Sequence, residues 1–224
     1  MNIALFGGTF DPVHCGHLAA ARAAQAAFGL DQIQFIPALH PPHKRGRPLT
    51  AFAHRYAMVA LACAGEPGLV PSLLESGNDH PAEPNYSIIT VRKVAAQLPP
   101  SDRLYYLIGA DAFLEIGQWK ESVALLDSCD FIIVSRPGFV IEPIAEVIPR
   151  ELWPAGSRGP NSGANTVELR RTRLHLLTTV EADISASDIR RKAAQGETLC
   201  GLVPDAVREY IRKAALYHDE DQTQ

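Results

Sequence analysis

Long hydrophobic runs are missing from this 224-residue chain, and no apolar stretch approaches the roughly 20 residues of a membrane-spanning helix. Cysteine is scarce. Cys15, Cys63, Cys129 and Cys200 stand far apart without paired spacing, which argues against a disulfide framework or a zinc site and favours a reducing compartment. Basic excess is absent too. The 21 Lys and Arg against 25 Asp and Glu give a formal charge of −4, which excludes a general nucleic-acid binder while allowing a local basic site. Met1 leads directly into an apolar strand pattern, with no basic segment and no cleavage site of the secretory kind. The expectation is a cytoplasmic protein with neither membrane nor nucleic acid as a partner. No internal repeat is visible, and 46% hydrophobic residues suffice for a sizeable core.

What is present is an alternation of strand and helix patterns. "NIALF" (2–6) reads as a buried strand that meets a turn at Gly7-Gly8, and "HLAAARAAQAAF" as a helix that stops at Gly29. A second strand is expected over 32–37, a polar loop over 38–48 and a helix over 51–63. The run 69–76 reads as a strand weakened by Pro71. Ile88, Val91, Ala95 and Leu98 share one face of a helix expected over 86–98. Residues 103–109 and 130–135 are the clearest interior strands, with helix between them. The Gly-, Pro-, Asn- and Ser-rich stretch 151–166 is expected to be an exposed excursion. A strand over 173–179 and helices over 185–195 and 204–217 follow, with 218–224 a frayed tail. This order predicts an α/β fold: a doubly wound parallel sheet with helices on both faces, in one domain spanning 1–217. Ligands of such sheets bind beyond the carboxyl ends of the strands. Gly7 to His17 lies there.

That stretch has the chemistry of an anion site. Two glycines let the backbone turn and a ligand approach, and the helix that follows offers free N–H groups. His14 and His17, three residues apart, can be aimed at one space and donate to developing negative charge on phosphate oxygens. Two other readings stay open on the residues alone: an ordinary turn with surface histidines, or a His-x-x-His metal pair lacking a third ligand. Lys44, Arg45 and Arg47 form a basic loop. Asp111 follows a strand end, where it can accept from ribose hydroxyls or cap a helix. Ser185 with Asp188 is a helix-capping signal that leaves Ser187 and Arg190 unexplained. "GSRGPNSGAN" (156–165) follows no strand and lacks the Gly-Lys-Ser/Thr ending of a P-loop.

"GGTFDPVHCGH" (7–17) resembles the signature of the H-x-G-H nucleotidyltransferases, and its double glycine resembles the nicotinate-nucleotide adenylyltransferase branch. Further segments resemble that family in order along nearly the whole chain. They are Pro41-Pro42-His43-Lys44, Tyr86-Ser87, Ile108-Gly109-Ala110-Asp111 with Trp119, Arg136-Pro137-Gly138, "ISASDIR" (184–190) and "VPDAVREYI" (203–211). Lys120 departs from the aromatic or histidine expected after the tryptophan, and the segment from Gly138 to Ile184 is longer than usual.

The resemblance implies a Rossmann-like core with a small C-terminal helical element (184–217) that binds phosphate. It implies adenylyl transfer from ATP, with Mg²⁺, to nicotinate mononucleotide. His14, His17, Lys44 and Arg190 would be catalytic. Gly7, Gly8, Thr9, Phe10, Gly109, Asp111 and Ser187 would join His14, His17 and Arg190 on ATP, and Lys44, Tyr86, Ser87 and Trp119 would hold the acceptor. No protein-held metal site is implied, and a homo-oligomer is left open. The competing readings are transfer to nicotinamide mononucleotide or phosphopantetheine, and a nucleotide sensor without catalysis.

Overall fold

The structure is a computed structural model that describes residues 1–41, 49–77, 84–135, 141–157, 165–178 and 184–218. Strand β1 (Asn2–Gly8) lies between β2 (Gln32–Pro37) and β4 (Arg103–Gly109), with which it runs parallel. Outside β2 lies β3 (Leu69–Pro71); outside β4 lie β5 (Asp130–Val134), β7 (Arg173–Leu177) and β6 (Thr166–Glu168), giving the order β3-β2-β1-β4-β5-β7-β6. All pairings are parallel except that of β6 with β7. The strand order reverses between β1 and β4, so a crevice opens at their carboxyl ends.

Side chains alternate across the sheet, and both faces are covered. Ala4 and Phe6 of β1, Leu107 of β4 and Ile132 of β5 pack on one side with α1 (Cys15–Phe28), α2 (Phe52–Cys63), α7 (Ala186–Ala194) and α8 (Asp205–Lys213). Leu5, Tyr106, Ile108, Phe131 and Ile133 point the other way, onto α3 (Ser87–Ala95), α4 (Ala110–Leu114), α5 (Ser122–Leu126) and α6 (Glu142–Glu146). Strands buried on both faces read as unbroken apolar runs, which is why they were legible. Helix α1 ends as its sequence suggests, with Gly29 left-handed at φ 57° and its N–H bonded to the Gln25 carbonyl.

Three expectations change. Strand β3 is three residues rather than eight: the Ser72 N–H makes a last bond to the Phe35 carbonyl at 2.8 Å, and the chain then turns, with the Ser76 N–H on the Leu73 carbonyl at 3.0 Å. Within 151–166, expected to be exposed, Leu152 is fully buried in a 3₁₀ turn (Arg150–Leu152), and Thr166 opens an antiparallel edge strand. Residues 158–164 of that stretch lie outside the described residues. Helix α8 stops at Lys213; Ala215 and Tyr217 then take positive φ and turn the chain back toward the β1–α1 loop.

Candidate active site

At the carboxyl end of the sheet lies a cavity of about 690 Å³, within the size range of small-molecule sites. Its walls include Gly7, Gly8 and Thr9 after β1, His14 and His17 at the start of α1, and Gly109 and Asp111 after β4. Tyr86 and Ser87 at the start of α3, together with Trp119, complete them. These are ten of the residues that the sequence singled out, drawn from four segments. Both glycines leave little room for a side chain, Gly7 the least. A Cβ on Gly8 would meet the Phe10 ring at 3.0 Å, and one on Gly7 would meet the Tyr106 hydroxyl at 2.7 Å.

That second contact carries a prediction. Tyr106 is buried and its hydroxyl is bonded to Ser87 Oγ at 2.9 Å, so it has no room to yield. Gly7→Ala should cost about 1–3 kcal/mol of stability by overpacking, and adding Tyr106→Phe should recover most of it. Urea unfolding of the single and double variants checks this; equal loss in both would assign the cost elsewhere.

Phe10, grouped by resemblance with the ATP-binding residues, is 3% exposed. Its ring packs edge-on against Phe6 and tilted against Phe35, with the backbone at φ 50°. Its side chain shapes the turn, and only its backbone is left for a ligand.

The two histidines form a stacked pair, ring centroids 3.7 Å apart and planes 28° from parallel. His17 also has its ring against Phe6 and Phe10. Its Nδ1 accepts from the backbone N–H of His14 at 3.2 Å, so the neutral ring keeps its proton on Nε2 and can donate from there. Burial pushes His14 down to about 4. Burial, and then the neighbouring His14, holds His17 well below the usual histidine value. Both rings are therefore neutral at physiological pH. His14 Nδ1 is buried with no hydrogen-bond partner among the described residues, a polar atom that a bound ligand can satisfy. Of the amides expected to be free at the start of α1, that of Cys15 is taken by the Leu202 carbonyl at 2.9 Å.

Ser187 and Arg190 are not in this cavity. They line a second one with Asp11, Thr50, His54 and Tyr217. Arg190 reaches the same loop from that side, donating to the Asp11 carbonyl at 2.7 Å. Ser185 caps α7 by accepting from the Asp188 N–H, as its sequence suggests. Lys44, with the Pro42–Lys44 part of its motif, and the Arg136-Pro137-Gly138 turn lie outside the described residues.

Sequence reading missed a buried clamp. Arg55 is 1% exposed and donates to the carbonyls of Thr9, Ala38 and Thr50, each at 2.8 Å. It thereby ties the loop after β1 to the exit of β2. Its electrostatic partner is Asp11, whose carboxylate accepts from the Tyr217 hydroxyl at 2.8 Å and the Thr50 N–H at 3.3 Å. A single arginine inside the otherwise apolar face of α2 was the available signal. One acidic residue of the cavity, Glu75, was also missed, and Lys120, noted in the sequence as a departure from the family pattern, lies there too. Glu75 accepts from the Thr90 hydroxyl at 2.7 Å, and burial pushes it up to about 7. Lys120 sits over the Tyr86 ring.

A family model described as cytidylyltransferase-like matches residues 5–192. A protein of Solibacter usitatus named probable nicotinate-nucleotide adenylyltransferase is 42% identical over 218 residues, covering 97% of this chain and 100% of the relative. A Moorella thermoacetica protein of the same name is 37% identical, covering 96% of this chain and 91% of that one. Among solved structures, a Plasmodium falciparum nicotinic acid mononucleotide adenylyltransferase complexed with NaAD has the same fold. The TM-score is 0.69 at 20% identity, over 96% of this chain and 97% of that one. Through the extent and identity of these matches, the chain belongs to the nicotinate-nucleotide adenylyltransferases of the cytidylyltransferase-like family.

Proposed function

We propose that this protein joins ATP and nicotinate mononucleotide to give nicotinate adenine dinucleotide and pyrophosphate, a step of NAD biosynthesis. An oxygen of the acceptor 5′-phosphate attacks the α-phosphorus in line. The new P–O bond forms as the α–β bridge breaks, and its electron pair leaves with pyrophosphate. The acceptor phosphate is already ionised, so the reaction needs neither a covalent intermediate nor a strong base, only positioning and charge neutralisation.

The observation that carries this reading is the stacked neutral histidine pair at the glycine turn, with His17 Nε2–H free to donate. Around it the roles are proposed as follows. Gly7, Gly8 and Thr9 let the nucleotide lie against the backbone, and Asp111 beside Gly109 accepts from the ribose. Ser187 and Arg190 meet the β- and γ-phosphates. The guanidinium commits one N–H to Asp11 and keeps others for the ligand. Trp119 stacks on the pyridine ring, with Tyr86 and Ser87 beside it. Lys44 serves the phosphates, on the resemblance of its loop. Among the described residues no three His, Cys, Asp or Glu side chains converge on a metal position. Mg²⁺ is taken to accompany ATP as part of the substrate, on phosphate oxygens and water.

The test is pyrophosphate release from MgATP with each candidate acceptor in turn. Nicotinate mononucleotide should be used at least about tenfold more efficiently than nicotinamide mononucleotide or phosphopantetheine. ATP binding without pyrophosphate release from any acceptor would identify a nucleotide sensor and overturn the proposal.

A further inference from the structure

Lys120 follows the 3₁₀ turn Ile116–Gln118 and Trp119 and lines the same cavity as Asn85, Tyr86 and Ser87. Its ammonium lies 4.5 Å from the centroid of the Tyr86 ring. No carboxylate among the described residues pairs with it. The adjacent Glu121 is engaged instead by Arg92 at 2.7 Å. Glu75, a half-buried acid of this cavity, is bonded by the Thr90 hydroxyl, and desolvation raises its pKa to about 7, which reduces its charge at neutral pH. A cation resting on an aromatic face is held more weakly than one in a charge-assisted hydrogen bond to a carboxylate. The cavity thus offers an ammonium that an incoming anion can draw off the ring.

We infer that Lys120 is the specificity-determining residue for the acid acceptor: its ammonium pairs with the pyridine carboxylate of nicotinate mononucleotide, which the carboxamide of the amide analogue cannot replace. The inference rests on the reading under Proposed function and adds to it the side chain that makes the choice. Trp119 and Tyr86 contact a pyridine ring whatever its substituent. The charge on Lys120 discriminates between substituents, because a neutral carboxamide gains nothing comparable from a cation.

The experiment measures kcat/KM for nicotinate mononucleotide and for its amide with the parent, Lys120→Met and Lys120→Arg. Methionine keeps an unbranched stem against Tyr86 and removes the charge; arginine keeps the charge. Lys120→Met should lower the acid-to-amide ratio by about tenfold or more, through a higher KM for the acid. Lys120→Arg should hold the ratio within about threefold of the parent. Equal losses for both acceptors, an unmoved ratio in Lys120→Met, or the same loss of selectivity in both variants would overturn the inference, assigning Lys120 to packing or to a shared part of the substrates. A parent protein that makes no dinucleotide from the acid would instead sink the proposed function. An active parent with an unmoved ratio sinks only the role of Lys120.

Discussion

Changing His17 to alanine should lower kcat by about 10²–10³, the loss expected when a preorganised donor to transition-state charge is removed. The geometry explains why the donor is preorganised. With Nδ1 tied to the His14 N–H and the ring boxed by Phe6, Phe10 and His14, the Nε2–H direction is set before substrate arrives. A donor already in place needs little reorganisation as charge builds at the phosphorus, so its loss falls on kcat more than on KM for ATP. Because both rings are neutral in the free protein, they create no acid limb in kcat/KM near neutrality. That limb should follow the acceptor phosphate, whose second ionisation lies near ~6, and should persist in the variant. Stability has a separate pH dependence. Unfolded His14 takes up a proton below its ordinary 6.5, whereas the folded ring refuses it until about 4, so the fold weakens as pH falls through that window. Steady-state assays of parent and variant at neutral pH decide the matter. A His17→Ala protein that folds normally and turns over within about threefold of the parent would remove His17 from the reaction.

How far the sequence showed this depends on whether a feature is local. The interior strands, the glycine turn, the left-handed Gly29 and the Ser185 cap each depend on residues within a few positions of one another. The histidine pair belongs to this class, being three residues apart on one turn. Features set by distant chain segments were illegible. Strand β6 is three residues in a polar neighbourhood, stabilised by pairing with β7 rather than by its own pattern. Leu152, with Trp153 beside it, belongs to a stretch whose composition reads as exposed, and it is buried by partners from other elements. In the site, motif spacing placed Ser187 and Arg190 near the right loop. Only the fold assigns them to a second cavity, where Arg190 donates to the Asp11 carbonyl of that loop. The Arg55 clamp was least accessible, since its contacts join residues 46 positions apart and the Tyr217–Asp11 bond spans 206.

That clamp predicts the largest stability effect. Arg55→Met should destabilise the protein by about 3–5 kcal/mol, because it leaves the carbonyls of Thr9, Ala38, Leu39 and Thr50 without this donor and removes the guanidinium charge that favours buried Asp11. For a chain of this size the melting temperature should fall on the order of 10 °C. The opposing terms favour this sign: methionine fits the apolar surroundings of Met58 and Val59, but it can satisfy none of the oxygens. Lysine at the same position offers three N–H donors without the planar fork and should recover part of the loss. Tyr217→Phe removes the hydroxyl that donates to Asp11 at 2.8 Å and should cost about 1–2 kcal/mol by itself. If Arg55 and Tyr217 act through the same carboxylate, their effects are not independent. The double variant should then depart from the sum of the singles by about 0.5–3 kcal/mol. Chemical denaturation of the four proteins in this cycle measures that coupling, and strict additivity would show that Arg55 stabilises the carbonyls alone while Asp11 is held by its hydrogen bonds.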